Sequence, residues 1–308
     1  MRQGGAPPTG KWIGSPVGGV KEPEALVLPK STKRFAATAA RLEALSQGHP
    51  MAGWLQFMAE LARAQHAAAT TLEPFADPQA EINRAVAARL PPIAADGHRH
   101  NPAWRDALAL MLAALRRGSL SERVTTSINA LGSRDDEALE SLANDFLGGS
   151  VSPGAVSAAL FIAAALQVYF TRVAARLEAS ALRLLPERGL CPCCGSTPVT
   201  GLITASGDVP GTRYLYCSLC GTAWNHVRAV CITCGDSRTL SLKGIEGDPG
   251  LVKAETCDAC RTYAKMLYQA KDMQADPYAD DLATLALDVM VAEAGWARHA
   301  PNPLLLVG

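Results

Sequence analysis

The chain has 308 residues, 48% of them hydrophobic, and carries Lys+Arg 29 against Asp+Glu 29. That length and apolar content suffice for two or three packed domains. A formal net charge of zero argues against the clustered positive charge that binding to a phosphate backbone requires.

Residues 1–30 are rich in Gly and Pro and show no period, so they read as a flexible tail in which Trp12 and Ile13 are the docking candidates. Met1 to Pro16 holds no apolar core of signal-peptide length, which sets the expectation of a cytoplasmic protein. Residues 31–186 read as an all-helical domain. Its first helix opens at Ser31 as N-cap, aligns Phe35, Ala39, Leu42 and Leu45, and stops at Gly48-His-Pro50. A second helix carries Trp54, Leu55, Met58, Leu61, Ala62 and Gln65 and ends before Pro74, and a third runs from about Glu81 to Leu90. In the following loop, His98 and His100 have no thiol or acidic neighbour at ligand spacing and read as solvated residues. Asn101-Pro102 opens a helix with Trp104, Leu108, Met111, Leu112 and Leu115. Ser133, with Asp136 three positions on, opens another with Leu139, Leu142, Ala143, Phe146 and Leu147. A long helix from Gly154 to Leu184 follows. Its apolar run, Ala155 to Phe170, is broken by Ser157 and Gln167; it is too short for an ordinary span and too apolar for a surface helix. It reads as a buried helix, with no membrane insertion.

All nine cysteines follow, within residues 187–265: Cys191-Pro-Cys-Cys194-Gly, Cys217-Ser-Leu-Cys220-Gly, Cys231-Ile-Thr-Cys234-Gly and Cys257-Asp-Ala-Cys260. Adding 40 to Cys191, Cys194, Cys217 and Cys220 gives Cys231, Cys234, Cys257 and Cys260, so the frame is an internal duplication. Two residues between thiols let one tight turn aim both sulfurs at one ion. A glycine just after the second thiol permits φ > 0 and lets backbone N–H groups approach the sulfurs. Gly195, Gly221 and Gly235 supply it; the fourth turn has Arg261. Segments such as Thr212-Arg-Tyr-Leu-Tyr216 read as short strands. Each copy is therefore a rubredoxin-like or zinc-ribbon module, at 187–226 and 227–270. Disulfides and a single redox CxxC are the competing readings; the fourfold duplicated frame and the lack of a secretory signal oppose both. Cys193, between two of these thiols, reads first as a small residue that fills the turn, with a reactive thiol or an alternative ligand as the other readings. Between residues 186 and 270 lie eight basic and seven acidic side chains, a net +1 that leaves nucleic-acid binding the least favoured use of such ribbons.

In the last segment, 271–308, Asp276-Pro277 caps a helix with Leu282, Leu285, Ala286, Val289 and Met290. The tail Asn302-Pro-Leu-Leu-Leu-Val307 is apolar and expected to be buried. The fold class is thus a helical bundle, two tandem small β metal modules and a C-terminal helix. No G-x-S-x-G, Walker A or G-x-G-x-x-G sequence stands in its expected context, and closed four-thiolate sets are structural or electron-transferring rather than catalytic.

Leu160-Phe-Ile-Ala-Ala-Ala-Leu-Gln-Val-Tyr169, followed by Cys191-Pro-Cys-Cys-Gly195 and three further CxxC pairs, resembles the FdhE family of formate dehydrogenase accessory proteins. Asp281-Leu and Asn302-Pro-Leu-Leu-Leu306 add to the match, which covers the chain from about residue 31. The resemblance implies a cytoplasmic, non-enzymatic assembly factor that binds the catalytic subunit of respiratory formate dehydrogenase before its export. It also implies iron in two mononuclear sites, Cys191/Cys194/Cys217/Cys220 and Cys231/Cys234/Cys257/Cys260, with zinc the alternative metal. A small rubredoxin-like electron carrier is the second reading.

The duplicated frame predicts two metal ions per chain. Elemental analysis of freshly purified protein checks this, and a stoichiometry of one or none contradicts the frame.

Overall fold

Apolar side chains at three- and four-residue spacing fold the first half of the chain into helices. They are α1 (Ser31–Ser46), α2 (Ala52–Thr71), α3 (Gln79–Ala87), α4 (Ala103–Leu115), α5 (Glu122–Gly132), α6 (Asp136–Leu147) and α7 (Val156–Ala174). This computed structural model describes residues 21–308 except 77–78, 98–100, 119, 301 and 306–308. Trp12, Ile13, His98 and His100 therefore lie outside the described residues.

Several boundaries differ from those expected. Ser31 is the first helical residue rather than the cap; Lys30 precedes it and makes no side-chain cap bond. Ser133 ends α5, a helix the sequence reading passed over, and it is Asp135 that caps α6 by accepting from the Ala138 N–H at 2.8 Å. The long helix stops at Ala174, ten residues early, because the chain turns to bury Leu182, and tertiary packing overrides local propensity. The last helix is two, α8 (Ala279–Ala283) and α9 (Leu285–Glu293), and α9 buries Leu287 and Val291 while Val289 and Met290 are exposed.

Helix α7 is the axis of the domain. Every residue from Phe161 to Phe170 is buried, and α2, α4 and α6 pack around it. The stretch Pro153–Ala174 is long and apolar enough to cross a membrane, but most of it lies inside the protein.

The second half is one sheet. Its strands are β1 (Leu26–Val27), β2 (Pro198–Ile203), β3 (Arg213–Cys217), β4 (Ala223–Asn225), β5 (Leu240–Lys243), β6 (Val252–Cys257), β7 (Thr262–Tyr268) and β8 (Ala297–Arg298). The order is β1-β4-β3-β2-β7-β6-β5, with β8 beside β7. The 40-residue repeat maps β2 on β5, β3 on β6 and β4 on β7, so each copy is an antiparallel three-strand meander. The two modules share the sheet: β2 pairs with β7 in parallel, aligning Gly201 with Met266, and joins one copy to the other. Part of the expected tail is structured too, since β1 adds to the edge of β4 and buries Leu26.

Packing also crosses residue 186. The cluster that holds Phe35, Leu55, Trp104, Phe161 and Phe170 continues through Cys191, Cys193, Cys194, Leu215, Cys217, Cys220 and Trp224. Leu304 and Leu305 of the apolar C-terminal tail lie half-buried against it.

Charges tie the C-terminal segment to the sheet. Lys265, fully buried on β7, lies 3.3 Å from Asp281 and 2.5 Å from Asp288. Asp281 also pairs with Arg298 and accepts from Asn302 Nδ2 at 2.8 Å. The Asp281-Leu and Asn302-Pro motifs thus meet in one network. Buried opposite charges persist only when paired and hydrogen-bonded, which makes this a registry device for α8, β8 and the tail.

Gly189 marks the close approach of the copies. A Cβ there would overlap the carbonyl oxygen of Ile232, a backbone atom that cannot swing aside. Gly189→Ala is expected to destabilise the protein by about 1–3 kcal/mol, read as a lower urea midpoint, whereas Gly53→Ala, in open space, has no such clash.

Candidate metal centres

Each centre is made by two turns of the same form. The Cys191 N–H donates to the Ser196 carbonyl at 2.9 Å and the Gly195 N–H to the Cys191 carbonyl at 2.9 Å. The second copy repeats both bonds, Cys231 to Asp236 at 2.8 Å and Gly235 to Cys231 at 3.0 Å. Residues in the left-handed region close all four turns: Gly195 (φ 76), Gly221 (φ 78), Gly235 (φ 77) and Arg261 (φ 56). Arg261 therefore adopts the glycine geometry. Its guanidinium lies 4.9 Å from the Trp296 ring and 3.3 Å from Asp258, contacts that offset the roughly 1–2 kcal/mol cost of that conformation for an L residue.

The turns bring together Cys191, Cys194, Cys217 and Cys220 in one cluster and Cys231, Cys234, Cys257 and Cys260 in another, each with all sulfurs within 4.8 Å of one another. Cys191 and Cys220 sulfurs are 3.5 Å apart, Cys194 and Cys217 3.4 Å. In the second cluster the corresponding distances are 3.7 and 3.8 Å. A tetrahedron with metal–sulfur bonds of about 2.3 Å has edges of about 3.8 Å, so both thiol sets fit a tetrahedral ion. Backbone N–H groups face the sulfurs: Leu219 and Cys220 donate to Cys217 Sγ at 3.4 Å each, and Thr233 to Cys231 Sγ at 3.4 Å. A threonine two residues past each second pair adds a hydroxyl, Thr222 Oγ1 at 3.2 Å from Cys220 and Thr262 Oγ1 at 3.0 Å from Cys260.

The surroundings differ. The first cluster is sealed by the helical domain. Three successive carbonyls of its second turn, Cys217, Ser218 and Leu219, accept from Tyr278 Oη at 3.1 Å, Gln167 Nε2 at 2.8 Å and Arg34 Nη1 at 2.8 Å. Gln65 donates in turn to Gln167 Oε1 at 2.9 Å, and Arg34 also holds Thr171 and lies 4.4 Å from the Tyr278 ring. The first turn is held by backbone, Ile93 N–H to the Cys193 carbonyl at 3.0 Å and Ala95 N–H to that of Cys194 at 2.8 Å. Cys193 is buried. In the sequence Gln167 interrupts an apolar run. A lone amide inside a buried helix must find partners, and that was the available signal. Arg34 and Tyr278 carried none.

The second cluster borders a cleft of about 620 Å³ between the copies, lined by Arg188, His226, Thr233, Cys234 and His299 among others. Arg213, fully buried on β3, spans the junction. It pairs with Glu255 of β6 at 2.6 Å, donates to the Val230 carbonyl at 2.7 Å, and donates to His226 Nδ1 at 2.7 Å. Burial, and then the Arg213 charge, hold the His226 imidazole down from 6.5 to about 4.

The fold and the two thiol sets define a tandem four-thiolate ribbon protein built onto a helical domain. Its N-terminal, central and C-terminal parts match the FdhE family models "FdhE, N-terminal" (residues 23–187), "FdhE, central domain" (190–228) and "FdhE, C-terminal domain" (229–305). The chain belongs to the FdhE family. It is 38% identical to a "Protein FdhE homolog" of Edwardsiella ictaluri, over 92% of each chain, and 33% identical to one of Rhizobium meliloti, over 95% of this chain and 96% of that one. The crystal structure of the FdhE protein from Pseudomonas aeruginosa superposes with a TM-score of 0.80 at 33% identity, covering 92% of this chain and 99% of that one.

A neutral buried His226 gives stability a sign with pH. As pH falls from about 6.5 to about 4, the unfolded chain takes up this proton before the folded one, so stability falls through that window. The apparent Tm of the metal-loaded protein is expected to drop more steeply there than that of His226→Gln; parallel profiles would contradict the assignment.

Proposed function

We propose that this protein is an accessory factor for formate dehydrogenase that binds the catalytic subunit in the cytoplasm before export, and that it catalyses no reaction itself. The observation that carries the reading is family membership along nearly the whole chain, from residue 23 to 305. The two thiol sets support it. Each offers four sulfurs, which satisfy a tetrahedral ion so long as all four stay bound, unlike the three-ligand sets of catalytic metal sites. In this reading Cys191, Cys194, Cys217 and Cys220 hold one ion, and Cys231, Cys234, Cys257 and Cys260 the other. The metal is iron, with zinc as the alternative, since both accept tetrahedral sulfur. The ions fix the turns that join ribbons to helices, so the metal centres maintain the shape that a client enzyme meets.

Full-length tagged protein from respiring cells is expected to co-purify with a formate dehydrogenase catalytic subunit identified by mass spectrometry. Deleting the gene is expected to abolish formate oxidation while the subunits are still synthesised. Normal formate oxidation in the deletion strain, with no second copy of the gene present, would overturn the reading.

A further inference from the structure

The duplication supplies an internal control, because each residue of one cluster has a twin 40 positions away. Cys191, Cys217 and Cys220 are fully buried and Cys194 is 1% exposed. Of their twins, Cys231 and Cys257 are buried, Cys260 is half-buried and Cys234 is exposed. The flanks diverge in the same sense. Ser218 and Leu219 are buried beneath helices, whereas their twins Asp258 and Ala259 face solvent. Where the first cluster has Cys193, the second has Thr233.

Within the second cluster the four thiols are not equivalent. Cys260 is held by a chain of side chains: Thr262 Oγ1 at 3.0 Å, then Thr233 Oγ1 2.8 Å further, then His299 Nδ1 at 2.7 Å from that hydroxyl. Cys231 accepts the Thr233 N–H, and the Thr239 hydroxyl lies 3.7 Å from Cys257 Sγ. Cys234 accepts a backbone N–H from Asp236 but, among the described residues, has no side-chain partner outside the cluster, and it lines the cleft of about 620 Å³ between the copies. The Nε2 of His299, another lining residue, is buried with no hydrogen-bond partner among the described residues.

We propose that the second cluster is a ligand-exchange centre in which Cys234 gives way to an external thiolate entering through this cleft, while the first cluster is a permanent structural centre. This rests on the reading of both sets as metal sites. In the exchange, the metal–sulfur bond to Cys234 breaks and one to the incoming sulfur forms. The entering thiol loses a proton, the released Cys234 thiolate gains one, and the metal keeps its oxidation state. Burial and hydrogen bonding to the ligands decide which ion leaves. Losing such support changes metal affinity by about 10- to 100-fold, and the same factor is expected between the two release rates.

The test uses the full-length zinc-loaded protein with excess 4-(2-pyridylazo)resorcinol as the metal acceptor. Two phases of one ion each are expected, and reduced glutathione is expected to speed the fast phase alone. Limited iodoacetamide treatment with peptide mapping is expected to label Cys234 before any cysteine between 191 and 220. Cys234→Ser is expected to retain one slowly released ion. Should that variant misfold, labelling of the unmodified chain still decides. A single phase for both ions, a fast phase indifferent to glutathione, or first labelling within 191–220 would each overturn the proposal. Protein that binds no metal at either cluster would instead overturn the metal reading beneath it.

Discussion

Three consecutive backbone carbonyls, those of Cys217, Ser218 and Leu219, are the point on which the structure turns. Each accepts from a side chain of a different helical element: Tyr278 at the start of α8, Gln167 in α7 and Arg34 in α1. A buried carbonyl left without a donor costs about 1–3 kcal/mol, so removing any one of the three is felt at the cluster. The dependence runs both ways. A ribbon of this size has little core of its own and relies on its ion. Here the ion would also fix the surface on which α7 is completed. Cys191, Cys193, Cys194, Cys217 and Cys220 share one apolar cluster with Phe161 and Phe170.

Duplication and divergence explain the rest. Both copies keep the same meander, the same turn bonds and a left-handed backbone after each thiol pair, at Gly195, Gly221, Gly235 and Arg261. The first copy was buried under helices and the second left at the surface. Arg213 bridges them, its charge met by Glu255 and its remaining donors by carbonyls at the junction and by His226. Parallel pairing of β2 with β7 sets Gly201 against the Met266 side chain, which a Cβ at 201 would have to displace. The C-terminal segment is then locked on the second copy by the Lys265–Asp281–Arg298 network.

Much of this was legible in the sequence where one residue type has one job. Thiols at fixed spacing located both clusters, and the apolar run Ala155 to Phe170 located the buried helix. What the sequence withheld was tertiary. Ser133 and Asp136 mimic a capping box, yet the cap is Asp135, because α5 already uses Ser133 as its end. The neighbouring residues, Cys193 before Cys194 and Thr233 before Cys234, do not announce the difference in exposure, which comes from the helices over one twin. Arg34 and Tyr278 are ordinary helix-end residues until the turn at Ser218 arrives beside them. The pairing of β2 with β7 is likewise invisible in a repeat that gives each copy its own three strands.

The central claim is that the first cluster and helix α7 belong to one cooperative unit. Amide hydrogen exchange, compared between metal-loaded protein and Cys194→Ser, tests it most directly. The account predicts that residues 161–174 of α7 lose most of their protection in the variant, because the turn that receives Gln167 and Arg34 no longer holds its shape. Protection of α7 equal to that of the metal-loaded protein, with exchange confined to residues 187–226, would contradict it.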